Sequence, residues 1–127
     1  METKNSLLID GVEYIKKDSI KENSLPAKKN TKGMEYCIIR TYSAGVFAGY
    51  IDRKFKGQET TIFNARRLWY WDGANSLSEL ALSGVSKPQN CKFSVENDEI
   101  DLKNIIEVIP CTEKSKLSIA SVKIWSQ

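Results

Sequence analysis

The fold is constrained most by a segment in which a strand pattern leads directly into a helix pattern. Residues 60–71 are rich in threonine, phenylalanine, tyrosine and tryptophan, which favour β-strands. Asp72-Gly73 follows and is a turn signal. Ser76 and Glu79 then have the spacing of a capping box, which marks the beginning of a helix. The sequence therefore predicts a strand that runs through one turn into a short helix.

Two adjacent arginines precede an aromatic run in this strand. On a straight strand, alternation separates Arg66 from Arg67, so that each face carries one arginine within reach of aromatic rings. The predicted faces are Phe63, Ala65, Arg67, Trp69 and Trp71 on one side, and Ile62, Asn64, Arg66, Leu68 and Tyr70 on the other. Aromatic rings stack a flat base and a guanidinium binds phosphate oxygens, so the pattern suits a nucleotide. The alternative is a core strand whose arginines cover aromatic rings or pair with carboxylates.

The predicted helix at residues 76–83 adds a second ligand signal. A helix start presents backbone N–H groups without partners in the helix, and these attract phosphate or carboxylate groups. Because the aromatic strand leads straight into this helix, we expect the helix start to lie close to the arginines.

A hairpin is predicted before the aromatic strand. Residues 35–42 and 46–55 are both strand-like, and Ser43-Ala44-Gly45 between them supplies the turn. The small turn residues let a ligand approach the backbone, and Phe47 is a candidate stacking ring. The alternative is an ordinary glycine-containing hairpin. Together with the aromatic strand, this hairpin predicts an antiparallel meander.

The remaining elements are shorter. Residues 92–95 predict a short strand, and residues 100–111 a longer one. Thr112 is a candidate N-cap for a last helix, in which Leu117, Ala120 and Ile124 form an apolar stripe at helical spacing. The predicted fold class is therefore α+β, with a curved antiparallel β-sheet and two short helices.

The chain divides in composition near Gly33. Residues 1–33 predict an N-terminal hairpin or arm, with strands around an Asp10-Gly11 turn, followed by a lysine-rich polar linker. Residues 34–127 predict one ligand-binding α+β domain.

Charge and residue usage exclude several classes of function. The 127-residue chain has 19 Lys and Arg against 16 Asp and Glu, and a net charge of +3 is too weak for DNA or RNA polymers. It lacks a membrane-span pattern and a signal peptide, so we expect a cytoplasmic protein. Histidine is absent, and the three cysteines are too dispersed for a metal site. We therefore expect no metal, no cofactor and no histidine-based catalysis.

Three blocks of the sequence carry a resemblance to a known family. They are Ile39-Arg40-Thr41-Tyr42-Ser43-Ala44-Gly45-Val46-Phe47-Ala48-Gly49, Asn64-Ala65-Arg66-Arg67-Leu68-Trp69-Tyr70-Trp71-Asp72-Gly73-Ala74 and Ser76-Leu77-Ser78, with Gly84-Val85, Pro88 and Cys91-Lys92-Phe93 beyond them. From about Glu35 to the C-terminus, the chain resembles phage anti-defence proteins of the Thoeris family-one sponge type. The N-terminal arm is not covered.

The resemblance implies a sponge that sequesters a TIR-derived cyclic ADP-ribose isomer (glycocyclic ADP-ribose) without degrading it, and so inhibits Thoeris immunity in the cytoplasm of the infected bacterial host. Relatives are associated with cyclic oligonucleotide signals and with symmetric homo-oligomers, from dimers to hexamers. No enzymatic activity is implied. The ligand-binding residues that we expect are Arg40, Thr41, Ser43, Ala44, Gly45, Val46, Phe47, Asn64, Arg66, Arg67, Trp69, Tyr70, Trp71, Ser76 and Ser78.

Two other classes of function remain open. One is an enzyme that cleaves the same signal with a metal held by Asp72 or Glu79. The simpler interpretation of these two carboxylates is a turn residue and a helix cap. The other class is an interaction module that binds a host protein through an exposed aromatic patch.

Overall fold

The structure is a computed structural model that describes residues 25–126. Within these residues the elements, in chain order, are β1 (Glu35–Thr41), β2 (Val46–Ile51), β3 (Thr60–Tyr70), α1 (Leu77–Ser83), a single 3-10 turn (Pro88–Asn90), β4 (Lys92–Phe93), β5 (Asn97–Leu102), β6 (Ile105–Pro110) and α2 (Glu113–Ser121). The predicted hairpin around Asp10-Gly11 lies outside the described residues.

The strands form one six-stranded antiparallel sheet. Its order is β4-β3-β2-β1-β6, and β5 also pairs with β3. Strands β1, β2 and β3 are consecutive neighbours, which confirms the predicted meander. The long β3 pairs with β5 through its first half and with β4 through its last residues. The sheet is curved and not closed, and two helices accompany it, so the predicted α+β fold class is confirmed.

A bulge in β3 changes the predicted faces of that strand. The pairing of β2 with β3 shifts register between Ala48 and Tyr50, and Asn64 adopts a left-handed backbone with φ of 50°. As a result, Ile62 and Ala65 bury their side chains in the same core cluster, which straight alternation forbids. The prediction of one regular alternation from residue 62 to residue 71 was therefore wrong.

Each face of the sheet has its own core. On one face, helix residues Leu80 and Ile119 pack against strand residues such as Ile38, Leu68 and Phe93. On the other face, Cys37, Ile39, Phe47, Ile51, Ile62 and Ala65 are buried in one cluster with Leu102 of β5 and Ile105 of β6. The connection between β5 and β6 is tied to both turns of the meander, because Tyr42 N–H donates to the carbonyl of Asn104 and Ile105 N–H donates to that of Gln58.

The single strand predicted at residues 100–111 was wrong. The structure divides this segment into β5 and β6, which pair with opposite edges of the meander. The break falls at Asn104, whose φ of 57° lies in the left-handed region that asparagine tolerates better than most residues. Sequence reasoning missed it because the flanking residues are all compatible with strands.

Both helix starts follow the sequence prediction. The Ser76 hydroxyl accepts the N–H of Glu79, and the Thr112 hydroxyl accepts the N–H of Ser115. The apolar stripe predicted for the last helix was wrong, because Leu117 and Ile124 are 59% and 60% exposed and Ala120 is also exposed. The buried side of α2 is formed by Ser115 and Ile119, with Val122 following.

The compact part of the described chain includes residues before Gly33. Pro26 forms an isolated bridge with Thr112, and Ala27 N–H donates to the carbonyl of Cys111 over 3.0 Å. Ala27 is buried in the helical-face core. In the described part of the chain, no helix has the length and apolar character needed to cross a membrane.

Candidate functional site

The structure brings the predicted hairpin and the predicted strand–turn–helix together. Val46 pairs with Leu68, and Phe47 pairs with Arg67, so the two segments are adjacent in the sheet. Val46, Trp71 and Leu77 all pack against the same core cluster. The side chains of the predicted site divide between exposed and buried positions.

Arg66 is buried and structural, which corrects its prediction as a phosphate ligand. Only 6% of the residue is exposed. Its Nη1 donates to the carbonyls of Ile119 and Val122, both over 2.7 Å, and its Nε donates to the carbonyl of Ser94 over 2.7 Å. These bonds place a guanidinium on the C-terminal carbonyls of α2, the negative end of the helix dipole. Burial lowers the pKa of the guanidinium from its usual value.

Arg67 and Phe47 form a stacked pair. The guanidinium carbon of Arg67 lies 4.8 Å from the centroid of the Phe47 ring. Phe47 has no exposed surface, so the structure removes the base-stacking role predicted for it. Arg67 is half-buried, and its Nε is buried without a hydrogen-bond partner among residues 25–126. Arg66 also lies over an aromatic ring, that of Phe93, at 5.4 Å. Both arginines therefore make the ring contact that the core-strand alternative predicts.

The hairpin turn is closed by its own hydrogen bonds. The Thr41 hydroxyl donates to the Gly45 carbonyl and accepts the N–H of Ala44, both over 2.9 Å. Thr41 is buried and holds the turn, while Ser43, Ala44 and Gly45 are exposed. Arg40 is exposed and donates from Nε to Glu107 over 2.8 Å. The structure therefore leaves the exposed turn, and not Thr41, accessible to a ligand.

The accessible aromatic surface lies at the end of β3. Trp69 and Tyr70 are 52% and 51% exposed, whereas Trp71 is half-buried against the core. The Trp69 ring meets the Trp125 ring edge to face, with centroids 5.6 Å apart. The C-terminal tail is thereby placed beside the end of this strand.

The helix start is largely occupied by its own caps. Besides the Ser76 cap, the N–H of Asn75 donates to Oε1 of Glu79 over 2.9 Å. Ser76 and Ser78 are exposed. Asn64 lies at the bulge, away from this turn, and its amide donates to Glu96 over 3.2 Å. The helix start therefore offers fewer free N–H groups than the sequence led us to expect.

The structure has a cleft beside the C-terminal tail that the sequence did not predict. It has a volume of about 480 Å³ and opens between the 3-10 turn and the C-terminal tail. Its lining residues are Pro88, Gln89, Cys91, Ser121, Lys123, Ile124, Trp125 and Ser126. A smaller cleft of about 240 Å³ is lined by residues 59–61 and 101–103, at the beginning of β3 and the end of β5. The hairpin region is thus an open surface, while the larger concavity has walls that come from distant segments.

Comparison with known families gives one match. Residues 34–119, more than half of the chain, match a family described as a domain of unknown function, DUF6948. The chain belongs to the DUF6948 family. Comparisons with curated proteins and with solved structures found no match.

In this DUF6948 protein, the two carboxylates considered for metal chemistry have local partners. Oδ2 of Asp72 accepts the amide of Asn90 over 2.9 Å, and Glu79 accepts the N–H of Asn75. These contacts match the turn and cap roles that the sequence allowed. Among residues 25–126, no group of three or more Cys, Asp and Glu side chains is placed to hold a metal ion.

Proposed function

We propose that this DUF6948 protein binds a small nucleotide signal, a cyclic ADP-ribose isomer such as glycocyclic ADP-ribose, and holds it without chemical change. In this proposal it acts as a phage anti-defence sponge that inhibits Thoeris immunity in the host cytoplasm. The observation that carries the proposal is the surface formed by Arg67, Trp69 and the exposed turn 43–45. It combines a half-buried guanidinium that lies over the Phe47 ring, a half-exposed indole ring and accessible backbone.

The chemistry of this surface suits holding rather than cleavage. Arginine remains protonated near neutral pH and cannot act as a general base. An indole ring stacks a base, and the N–H groups of an exposed turn bind phosphate oxygens. Arg40, at the beginning of the same hairpin turn, carries an exposed guanidinium, which a phosphate can recruit from its contact with Glu107. The residue-by-residue resemblance in the same blocks supports the cyclic ADP-ribose class in particular.

Calorimetric titration tests the binding step. We expect the purified protein to bind a cyclic ADP-ribose isomer, and Trp69→Ala to weaken binding by roughly tenfold to a hundredfold through loss of stacking. Arg67→Gln should weaken it at least as much. The matched control is Arg53→Gln, because Arg53 is exposed and only loosely paired with Glu35 at 3.5 Å. Equal affinity in all three folded variants would move the site away from this surface.

Recovery of the ligand tests the absence of turnover. The saturated protein is incubated, heat-denatured and chromatographed. Intact ligand that still activates the effector supports a sponge. Linear ADP-ribose or AMP, absent from a protein-free control, would instead establish an enzyme. A complete lack of small-molecule binding would favour the interaction-module alternative.

A further inference from the structure

The cleft between the 3-10 turn and the C-terminal tail has the properties of a binding site. It lies outside residues 64–74, the aromatic block of the sequence. Its volume of about 480 Å³ falls within the range of roughly 300–1,000 Å³ typical of small-molecule pockets. Its lining includes the buried Cys91 and the polar residues Gln89, Ser121 and Ser126. The cleft therefore combines an apolar surface with several hydrogen-bonding groups.

The tail wall of this cleft is held in place by buried contacts. Arg66 binds the carbonyls of Ile119 and Val122, which fixes the end of α2 just before the tail turns. In the tail, the backbone N–H of Trp125 donates to the carbonyl of Phe93 over 3.0 Å, and Ile124 forms an isolated parallel β-bridge with Phe93. The wall is thus formed before any ligand binds, which reduces the ordering cost of binding.

The opposite wall is also fixed. Pro88 begins the 3-10 turn, and the N–H of Cys91 donates back to the Pro88 carbonyl over 3.2 Å. The amide of Asn90 binds Asp72 over 2.9 Å, and the N–H of Asp72 donates to the sulfur of Cys91 over 3.4 Å. These contacts anchor the turn to the residues that follow β3. Both walls are therefore positioned by the aromatic block, although neither is part of it.

The charge and rings of the cleft indicate its ligand. Lys123 is the one charged side chain among the lining residues, and it is exposed. Trp125 contributes a ring whose plane is held by the edge-to-face contact with Trp69. The ammonium of Lys92 lies 5.1 Å from the centroid of the Trp125 ring, so a second cation is within reach of the same region. A flat ring joined to a phosphate matches this combination of indole and ammonium groups.

We propose that this cleft is a second small-molecule site, which binds a nucleoside monophosphate with its base against Trp125 and its phosphate against Lys123 and Lys92. The hydroxyl and amide groups of Ser121, Ser126 and Gln89 face the sugar and the base edge. This site adjoins the surface of Arg67, Trp69 and the 43–45 turn, because the Trp125 ring contacts the Trp69 ring. The proposal rests on the cleft and not on the proposed sponge function. A nucleic-acid polymer is not required, since the cleft has few cations and the size of one nucleotide.

Calorimetry with AMP, adenosine and inorganic phosphate tests the chemistry of the cleft. AMP should bind more tightly than either half-ligand, because only AMP uses both the ring and the ammonium groups. AMP affinity should fall as salt is raised, whereas adenosine affinity should not. No AMP binding at millimolar concentration, or equal binding of AMP and adenosine, would overturn the proposal.

Four variants place the site. Trp125→Ala should weaken AMP binding at least tenfold, and Trp125→Phe should restore most of it because a ring is kept. Lys123→Ala should weaken AMP binding several-fold without changing adenosine binding. Lys103→Ala is the matched control, because this exposed lysine lies at the smaller cleft instead. Unchanged AMP affinity in Lys123→Ala, or in a folded Trp125→Ala protein, would place the site elsewhere, and so would an equal loss of affinity in Lys103→Ala.

A crossed experiment separates this site from the proposed sponge surface. Lys123→Ala should leave the affinity for a cyclic ADP-ribose isomer unchanged, and Arg67→Gln should leave the affinity for AMP unchanged. If Trp125→Ala fails to fold in a thermal melt, Lys123→Ala still decides the result, because it changes only an exposed side chain. If Lys123→Ala weakens the binding of both AMP and the cyclic ADP-ribose isomer, the two ligands share one site, and the proposal of a second site is overturned.

Discussion

Arg66 and Val122 lie 56 positions apart, and the Nη1 of the arginine donates a 2.7 Å hydrogen bond to the valine carbonyl. The same nitrogen donates to the carbonyl of Ile119 over 2.7 Å. One side chain of the aromatic strand thereby secures both the end of α2 and the beginning of the C-terminal tail. The two adjacent arginines therefore have different roles. Arg66 stabilises the fold, and only Arg67 belongs to the candidate ligand surface.

Replacing Arg66 should destabilise the fold markedly. Arg66→Met removes three charge-assisted hydrogen bonds and leaves buried carbonyls without a donor, so the free energy of unfolding should fall by about 3 kcal/mol. Arg66→Lys should cost less, because an ammonium still reaches part of the helix end. Urea unfolding measures both changes. Arg53→Met is the control, since its exposed side chain makes one weak contact. If Arg66→Met lowers the free energy of unfolding by less than Arg53→Met does, the structural role of Arg66 is contradicted.

Secondary-structure elements could be predicted from the sequence, but the roles of individual side chains such as Arg66 could not. The helix start at Ser76 and Glu79 was predicted correctly, because a capping box is made within four consecutive residues. The role of Arg66 was not predictable in this way. Its partners lie in α2 and the tail, and only the folded sheet brings them to it.

The bulge and the cleft were missed for a related reason. The left-handed Asn64 matters because Gly49 lies opposite it, and that pairing is a property of the sheet and not of either strand. The cleft combines residues 88–91 with residues 121–126, and neither segment has a distinctive motif of its own. The burial of Phe47 likewise depends on a core that includes Leu102 of β5 and Ile105 of β6, two strands that the sequence predicted as one.

Adding a single methyl group at Gly49 should disturb the β2–β3 pair. A Cβ there would lie 2.8 Å from Cβ of Ala65, 3.0 Å from its Cα and 3.1 Å from the Phe63 carbonyl oxygen. Because two of these atoms are backbone, Gly49→Ala should destabilise by roughly 1–3 kcal/mol, measured by urea unfolding. Gly49→Ala combined with Ala65→Gly should recover part of the loss and no more, since the backbone contacts remain. Full stability in the single variant would show that the strands separate freely.

The buried thiols predict a loss of stability in alkali. Burial raises the pKa of Cys37 and of Cys111 from 9.0 to about 12. Below about pH 8 both thiols are largely protonated in the folded and the unfolded chain, so their contribution to stability is constant. As the pH rises from 9 towards 12, the unfolded chain loses these protons first, and folding becomes less favourable.

Urea midpoints at pH 8, 9 and 10 measure this dependence. Cys37→Ala should be less stable than the parent at pH 8 because of the lost packing, and should lose less with rising pH. Cys37 and Cys111 should also resist alkylation in the native protein, since the thiolate is the reactive form. The reference is the same reaction in urea, where both thiols should react quickly. Fast labelling of Cys37 in the native state would contradict its burial.

The final prediction concerns self-association through the exposed aromatic side chains. Tyr42 is 80% exposed at the end of β1, and Trp69 and Tyr70 are about half exposed at the end of β3. Rings of this size seldom remain in water unless they bind a partner, and a second copy of the chain supplies a self-complementary surface. We therefore expect a homo-oligomer, with a mass of at least twice the 14.4 kDa of one chain in light scattering.

Tyr70→Ser should raise the dissociation constant of this oligomer at least tenfold, because an aromatic residue near the centre of an interface carries much of its energy. Leu117→Ser is the matched control, since Leu117 is 59% exposed on α2 and lies outside the aromatic block. Sedimentation over a range of protein concentrations compares the two variants. A parent protein that stays at 14.4 kDa at 100 times the concentration used for ligand binding would contradict the association. Association that only Leu117→Ser weakens would move the interface to the helical face.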